Sequence, residues 1–292
     1  MTMAISDDLP QKAAKLGALH RRGRPLVLVN AWDAATARIF EKAGSEAIAT
    51  TSAGIAFACG YPDGQKISRE RMLETVARIC AAVSVPVTAD MEAGYGDTPE
   101  EMHRTAVGVL EAGAVGLNLE DGTGLPEAPL ADLAFHVEKI RAVLAAGRRH
   151  GVPIVLNART DVYLARVGPE AGRLAEAIRR GEAYRAAGAD CVFVPGVTDG
   201  AVIAALVKQL ACPVNVLAVA GSPSIAELAR LGVARVSLGS GPMRAAMTQM
   251  QRLAEEVLSK GTYSILEGIV SHASMNDLMT HGSLRRSDPS IS

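Results

Sequence analysis

The stretch PVTADMEAGYGD (86–97) decides the fold prediction, because a strand that looks buried ends there in two acids. A largely apolar run reaches Ala89, then Asp90 and Glu92 follow, and two glycines come directly after them. Two carboxylates at one strand end repel each other and cost free energy to desolvate. Something should compensate for them, and a metal ion is the simplest candidate.

Working outward, short β-branched runs recur along the chain, and segments with helical spacing separate them. The predicted strands cover 26–30, 47–51, 86–90, 115–121, 153–159, 191–196, 213–218 and 235–239. Eight strands alternating with helices predict an α/β fold, a (β/α)₈ TIM-type barrel. A doubly wound sheet is the alternative. It would usually carry a glycine-rich nucleotide turn after the first strand, where this chain has Asn30-Ala31-Trp32-Asp33.

The barrel is predicted as one catalytic domain over 25–260, with no internal boundary. A helical segment over 1–24 is expected to cover the bottom of the barrel. An extra C-terminal helix is expected over 261–282, and 283–292 should be a disordered tail.

Composition narrows the function. The 292 residues are 49% hydrophobic and only 3% aromatic, and the net charge is −1. We therefore expect no nucleic-acid and no membrane partner. The four cysteines form no CxxC pair, the N-terminal stretch lacks a signal-peptide core, and no apolar run reaches about 18 residues. These features predict a cytoplasmic protein.

Polar residues collect at the predicted carboxyl ends of the strands, where a barrel gathers its chemistry. They include Thr51, Ser52, Gly54, Asp90, Glu92, Asn118, Glu120, Asp121, Asn157, Arg159, Asp161 and Asn215. Period-two alternation places Asp90 with Glu92 on one strand face, Asn118 with Glu120 on another, and Asn157 with Arg159 on a third. If these faces point inward, three acids and one guanidinium converge.

Carboxylate ligands without His or Cys suit a hard cation, Mg²⁺ or Mn²⁺. Arg159 offers a fork for a substrate carboxylate, and Thr51, Ser52 and the Gly54 amide could bind the same anion. The bland alternative is that Glu120 and Asp121 cap a helix or form a structural ion pair with Arg159.

Other candidates carry weaker signals. Cys59 follows the second strand and is either a nucleophile or, as we favour, an inert small residue. His103 and His136 are predicted to lie on helix surfaces. Gly239-Ser240-Gly241 could cradle a phosphate, which would make a phosphosugar enzyme an alternative, although glycine also serves tight turns.

The segments VTADMEAGYGD, GLNLEDG and LNARTD together resemble the isocitrate lyase/phosphoenolpyruvate mutase superfamily, over about 26–247. The loop CGYPDGQKIS resembles the family loop that bears an acid, here Asp63. The resemblance implies a modified barrel whose last helix is often swapped between subunits, in homodimers or homotetramers. It implies Mg²⁺ near Asp90, Glu92 and Glu120, partly through water, with Asp121 behind these ligands.

The resemblance also implies that an oxo acid or enolate is held by Thr51, Ser52, Gly54 and Arg159. Asp90 and Asn215 are further candidate substrate contacts. Arg159, Glu120 and the mobile-loop residue Asp63 are the candidate catalytic residues.

The chain departs from the best-known members after the fourth strand. Lyases of isocitrate or methylisocitrate carry a Lys-Lys/Arg-Cys-Gly-His stretch there, whereas this chain reads EDGTGLPEA (120–128) without Cys or His. The lysine that follows the Glu-Asp pair in the mutases is Gly122. A smaller substrate that needs no cysteine acid, such as oxaloacetate, is therefore favoured.

The sequence thus predicts a Mg²⁺-dependent lyase or decarboxylase that cleaves a C–C bond in a small 2-oxo or 2-hydroxy acid through an enolate. Two alternatives stay open: P–C bond chemistry on a phosphonate, and non-catalytic binding of a 2-oxo acid.

Overall fold

A computed structural model describes residues 5–280 and contains one fully parallel sheet of nine short strands, in the order β1-β9-β8-β7-β6-β5-β4-β3-β2. The strands are β1 Leu26–Leu28, β2 Asn30–Ala31, β3 Ile48–Thr50, β4 Val87–Asp90, β5 Gly116–Glu120, β6 Val155–Arg159, β7 Cys191–Phe193, β8 Val214–Leu217 and β9 Arg235–Ser237. The α-helices are α1 Leu9–Ala18, α2 Ala34–Lys42, α3 Ser52–Ala58, α4 Arg69–Ala82, α5 Pro99–Glu111, α6 Leu133–Arg149, α7 Glu170–Ala187, α8 Gly200–Leu210, α9 Ile225–Arg230, α10 Gly241–Glu255 and α11 His272–Thr280.

The first predicted strand is the place where the sheet closes. Its first half, β1, pairs with β9, and its second half, β2, pairs with β3. The Asn30 side chain ties this joint together: Nδ2 donates to the Thr50 carbonyl at 2.8 Å, and Oδ1 accepts from the Leu238 and Gly239 amides at 2.8 and 2.9 Å. Nine strands therefore fill eight positions, and the predicted (β/α)₈ barrel is confirmed.

Local sequence explains why the helices start where they do. Thr98 caps α5 by accepting from the Glu101 amide, and the Glu101 carboxylate accepts from the Thr98 amide. This reciprocal capping box, with Pro99 in the first turn, satisfies amides that the helix leaves without partners. The end of a helix is also set by local sequence: α7 ends before Gly188, whose left-handed φ of 107° favours glycine.

Helix α1 packs against the amino ends of β5 and β6, on the face opposite the acidic strand ends. Leu16 is fully buried there. A β-carbon on Gly116 would lie 2.8 Å from Leu16 Cδ2 and 2.9 Å from the Val155 carbonyl oxygen, so this close approach requires glycine.

The C-terminal segment is more broken than one predicted helix. After α10 come a π-helical turn, Glu256–Lys260, a 3₁₀ turn, Ser264–Leu266, and then α11. Gly261 and Gly268 adopt φ values of 66° and 71° between them. Helix α11 docks on α2, where Arg38 donates from Nε and Nη2 to the Leu278 carbonyl at 2.9 and 2.6 Å. The predicted tail, 283–292, lies outside the described residues.

One surface prediction is wrong. His136 on α6 is fully buried, and its ring lies 4.8 Å from the Tyr184 ring on α7. Separately, within residues 5–280 every helix is too short or too polar to cross a membrane.

Candidate active site

The predicted polar rim is formed by the carboxyl ends of β4, β5 and β6. Register places Asp90 beside Asn118 and Glu120 beside Arg159 on neighbouring strands. Parallel strands bring these ends to one face of the barrel, so residues far apart in sequence meet there.

Arg159 is held between two acids. Its Nη1 lies 2.6 Å from Glu120 Oε2, and its Nε and Nη2 donate to the two carboxylate oxygens of Asp161 at 2.6 and 2.9 Å. The side chains are 9–17% exposed. Burial raises the pKa of Glu120 well above its ordinary value, while the charge of Arg159 opposes that rise. The ion pair considered as an alternative thus forms between Arg159 and Glu120, whereas the Asp121 carboxylate pairs with Arg180.

Behind this pair, Asp121 holds the segment that carries Asp161. Its Oδ1 accepts from the Asp161 amide at 2.9 Å, and its Oδ2 accepts from Arg180 Nη1 at 3.0 Å and from the Tyr184 hydroxyl at 2.5 Å. Asp121 is 1% exposed and has its carboxylate fully engaged. It therefore supports the arginine clamp from behind the rim.

Asp90 is bound by its neighbours on both oxygens. Oδ2 accepts from the Ser52 amide at 3.1 Å and the Ser52 hydroxyl at 2.8 Å, and Oδ1 accepts from Asn118 Nδ2 at 3.3 Å. Thr51 caps α3 by accepting from the Gly54 amide at 3.3 Å. Three of the four residues predicted to hold a substrate anion, Thr51, Ser52 and Gly54, thus lie at the start of α3, and Ser52 contacts Asp90 directly.

Glu92 does not continue the strand face of Asp90, so the period-two argument for this pair is wrong. Strand β4 ends at Asp90, and Glu92 has a left-handed φ of 50°. Its Oε2 accepts from the Gln65 amide at 2.6 Å and its Oε1 accepts from the Tyr95 hydroxyl at 2.9 Å. Gln65 and Tyr95 are also left-handed, each with φ 57°, and the Tyr95 amide donates to Gln65 Oε1 at 2.6 Å.

Such backbone conformations are costly for residues with side chains and often occur at functional sites. Burial raises the pKa of Glu92 to about 7, with the charge of Asp90 adding to the rise. The hydrogen bond from the Gln65 amide to Glu92 joins the loop that carries Gln65 to this acid of the rim.

Asp63 lies on that same loop and is exposed. Its pKa is raised by the part of the carboxyl that is shielded from water and by the charge of Asp90, while Arg159 opposes the rise. The charged groups of the rim therefore act electrostatically on this loop residue.

Asn215 lies deeper in the barrel. It is fully buried and exchanges hydrogen bonds of 3.3 Å with the Ser237 hydroxyl across β8 and β9. Cys59 is exposed at the end of α3. The loop after β5 folds on itself, with Thr123 donating to the Ala128 carbonyl at 2.5 Å.

Oxygen donors dominate the rim, which is the donor set that Mg²⁺ prefers. Within residues 5–280, however, no group of three or more His, Cys, Asp or Glu side chains is arranged to hold an ion directly. Asp90, Glu92 and Glu120 each bind groups of their own chain instead. The donor chemistry fits Mg²⁺ with few direct protein ligands and several waters, which is the usual habit of this ion.

Sequence reasoning missed Gln65 and Tyr95, which hold Glu92, and Arg235, which lies inside the barrel. Only Arg235 left a signal, because a charged residue opens the otherwise apolar run RVSLG.

Comparison with known proteins identifies the family. The phosphoenolpyruvate phosphomutase family model matches residues 16–258. The chain belongs to the isocitrate lyase/phosphoenolpyruvate mutase superfamily. It is 30% identical over 267 residues to 2-methylisocitrate lyase of Escherichia coli K12, with 87% of this chain and 84% of the relative covered.

Solved structures of the superfamily share the fold. A lyase/mutase candidate from Burkholderia cenocepacia J2315 superposes with a TM-score of 0.88 at 40% identity, covering 94% of this chain and 98% of the other. Phosphonopyruvate hydrolase, in complex with oxalate and Mg²⁺, superposes with a TM-score of 0.81 at 26% identity, covering 91% and 94%. Superfamily members are Mg²⁺-dependent lyases and mutases.

Proposed function

We propose that this protein is a Mg²⁺-dependent lyase or decarboxylase that cleaves a C–C bond of a small 2-oxo or 2-hydroxy carboxylic acid and leaves a pyruvate-like enolate. The observation that carries the proposal is the clamped guanidinium of Arg159, fixed by Glu120 and Asp161 beside the acids of the rim. Two of the five N–H bonds of Arg159 are donated to Asp161 and Nη1 is paired with Glu120 as an ion pair, so N–H bonds of Nη1 and Nη2 remain for a substrate carboxylate.

Asp90 is the residue we assign as the direct metal ligand, with Glu92 and Glu120 acting mainly through water. Mn²⁺ could replace Mg²⁺ with the same oxygen donors. When bound, the ion acts as a Lewis acid that stabilises negative charge on the substrate oxygens. Ser52 and the start of α3 would complete the anion site, and Asn215 would lie below it.

In the proposed reaction on a 2-oxo acid the bond between C3 and its carboxyl substituent breaks, the electron pair stays with the 2-oxo fragment as the enolate, and the carboxyl group leaves as CO₂. Arg159 is preorganised to stabilise that charge, because its partners hold it before the substrate arrives. We assign the proton that returns to the enolate carbon to Asp63, whose raised pKa suits an acid. Glu120 keeps Arg159 in position throughout.

A second function is P–C bond cleavage of a phosphonate, which the likeness to phosphonopyruvate hydrolase supports. Proton and phosphorus NMR of the protein with Mg²⁺, oxaloacetate, methylisocitrate, isocitrate and phosphonopyruvate separates the two, with EDTA-treated protein as the control. We expect metal-dependent formation of pyruvate or glyoxylate. Formation of phosphate or a rearranged phosphonate would favour the second function, and tight binding without turnover would favour a binding protein.

Glu92→Gln provides the matched test of the site. It should abolish Mg²⁺-dependent turnover while the circular dichroism spectrum stays unchanged, because the uncharged amide lacks the negative charge that holds the hydrated ion. The exposed Glu138 on α6 gives the control variant, Glu138→Gln. Full activity of Glu92→Gln would contradict the assignment.

A further inference from the structure

Arg235 at the start of β9 is a fully buried guanidinium inside the barrel. Its Nη2 donates to Asn118 Oδ1 at 3.2 Å, while Nε and Nη1 have no hydrogen-bond partner among the described residues. Burial lowers its pKa, and the charge of Asp90 opposes this shift. A buried cation with so few partners is expensive in free energy, so its presence at the centre of the barrel calls for a physical reason.

The group that Arg235 contacts is also the group that contacts Asp90. Asn118 Oδ1 accepts from Arg235 and from Asn157 Nδ2, the latter at 2.8 Å, and Asn118 Nδ2 donates to Asp90 Oδ1 at 3.3 Å. Asn118 therefore stands between a cation on β9 and an acid on β4. It links opposite walls of the barrel.

The two ends of an asparagine amide are nearly equal in shape, but one end accepts and the other donates. Its neighbours therefore decide which way it points. Asn157 has an amide of its own and could turn to suit either orientation. Arginine has only donors, so Arg235 can be satisfied only by the oxygen of Asn118. That choice leaves the NH₂ group of Asn118 facing Asp90.

We propose that Arg235 is a positioning residue for the metal site: it fixes the orientation of the Asn118 amide, which in turn orients the carboxylate of Asp90. Ser52 binds the other oxygen of that carboxylate, so both oxygens have defined positions. The carboxylate of Asp90 only accepts and favours the same orientation, so without Arg235 the Asn118 amide loses one of the two groups that hold it and its NH₂ group is less firmly placed against Asp90. The inference rests on the proposed function only for the assignment of Asp90 to the metal.

The ordinary reading of Arg235 is that it merely fills the barrel core with its carbon chain. The two roles predict different orders of metal affinity among the variants of Arg235. If Arg235 fills space, methionine should serve better than lysine, because it is apolar and long. If Arg235 orients Asn118, lysine should serve, because it also has only donors. Glutamine should then fail, because its amide can accept as well as donate.

The experiment measures Mn²⁺ affinity by electron paramagnetic resonance, with no substrate present. Loss of a residue that orients a metal ligand typically weakens the metal site by about 10- to 100-fold. We expect R235Q and R235M to raise the Kd for Mn²⁺ by about tenfold or more, and R235K to stay within about threefold of the wild type. R38Q is the control, because Arg38 is a largely buried arginine that binds backbone carbonyls of α11 and α4, away from the rim.

A double-variant cycle tests the route. In an N118A background, R235Q should cause no further loss of Mn²⁺ affinity, because the residue through which Arg235 acts is gone. Additive losses would overturn the proposal, as would wild-type affinity in R235Q and R235M.

A measurement on the wild type keeps the proposal testable if the Arg235 variants do not fold. The side-chain NH₂ signal of Asn118, assigned from its loss in N118A, should shift in the ¹⁵N spectrum when Mg²⁺ is added, because it donates to Asp90. An unmoved signal in protein that binds Mn²⁺ would overturn the inference and leave the proposed function standing. If Mn²⁺ affinity falls in the Arg235 variants but no substrate is turned over, the inference stands and the proposed function is overturned. Absence of Mn²⁺ binding in the wild type would overturn both.

Discussion

A β-carbon on Gly122 would lie 2.6 Å from Asp161 Oδ2 and 3.4 Å from Asp161 Cγ. Contact this close is tighter than atoms accept, so Asp161 can stay where it is only while residue 122 has no side chain. The position at which the resemblance to the mutases leads one to expect a lysine is therefore closed here by the acid that clamps Arg159.

Gly122→Ala should displace Asp161 and loosen its two hydrogen bonds to Arg159. We expect the KM for a carboxylate substrate to rise about tenfold, which corresponds to about 1.4 kcal/mol of lost binding. Steady-state kinetics checks this. Gly172→Ala on α7 is the control, because a β-carbon there meets nothing within 4 Å. An unchanged KM would show that Asp161 does not position Arg159 for the substrate.

Arg159→Lys should lower kcat/KM at least about a hundredfold, or about 2.7 kcal/mol. Lysine keeps the charge but cannot bind both oxygens of Asp161 and still offer two N–H bonds to a substrate. The exposed Arg141 gives the control, Arg141→Lys. Near-normal kinetics of Arg159→Lys would mean that charge alone is needed at this position.

Tyr95→Phe should weaken metal binding at pH 7, and the binding of this variant should recover at higher pH. The Tyr95 hydroxyl lowers the pKa of Glu92, which is about 7, so its removal raises that pKa and leaves more of the carboxyl protonated at neutral pH. Mn²⁺ titrations between pH 6 and 9 check this. Tyr61→Phe, which removes a hydroxyl that accepts from Arg71, is the control. A parallel pH profile for Tyr95→Phe and the wild type would contradict the prediction.

His136 should make the protein less stable in mild acid. Burial lowers its pKa from 6.5 to about 3, so below 6.5 the unfolded chain binds more protons than the folded one, and stability falls as pH falls. At pH 5.5 the loss amounts to about 1.4 kcal/mol from this residue.

The free energy of unfolding in urea should change between pH 8 and pH 5.5 by about 1.4 kcal/mol less in His136→Phe than in the wild type. The half-buried His20, with a pKa lowered to about 4 by burial, would account for part of what remains. His150→Phe at an exposed position is the control. Equal slopes for His136→Phe and the wild type would exclude His136 as the source.

The chain should form a homodimer or homotetramer through its C-terminal segment. Leu258, Tyr263, Ile269 and Val270 are 62–84% exposed, and such clustered apolar groups mark interaction surfaces. Replacing Leu258, Ile269 and Val270 together with serine should reduce the molar mass measured by light scattering. Leu125→Ser, at an exposed position of the loop after β5, is the control. An unchanged mass would place the interface elsewhere.

The strands could be predicted from sequence because β-branched runs, prolines and helix caps all act locally. The runs 86–90 and 153–159 contain the observed strands β4 and β6. The division of the first run at Val29 could not be predicted, because it depends on pairing with both ends of the sheet.

The positions of the rim side chains could be predicted in part. Asp90, Glu120 and Arg159 converge because strand ends meet in a barrel, which the spacing indicates. The left-handed turn at Glu92 has no residue such as glycine to announce it, so alternation failed there. The burial of His136 and the reach of Arg235 across the barrel depend on tertiary packing, which no local pattern reports.

The hydrogen bonds that Asn30 makes where the sheet closes have a consequence for synthesis on the ribosome. Its partners, Leu238 and Gly239, are translated more than 200 residues after it. Until they emerge, β1 lacks its neighbour β9, and the growing chain carries an open sheet edge at β1. The ring is therefore completed only after Leu238 and Gly239 have emerged, so the nascent polypeptide needs protection from self-association until then.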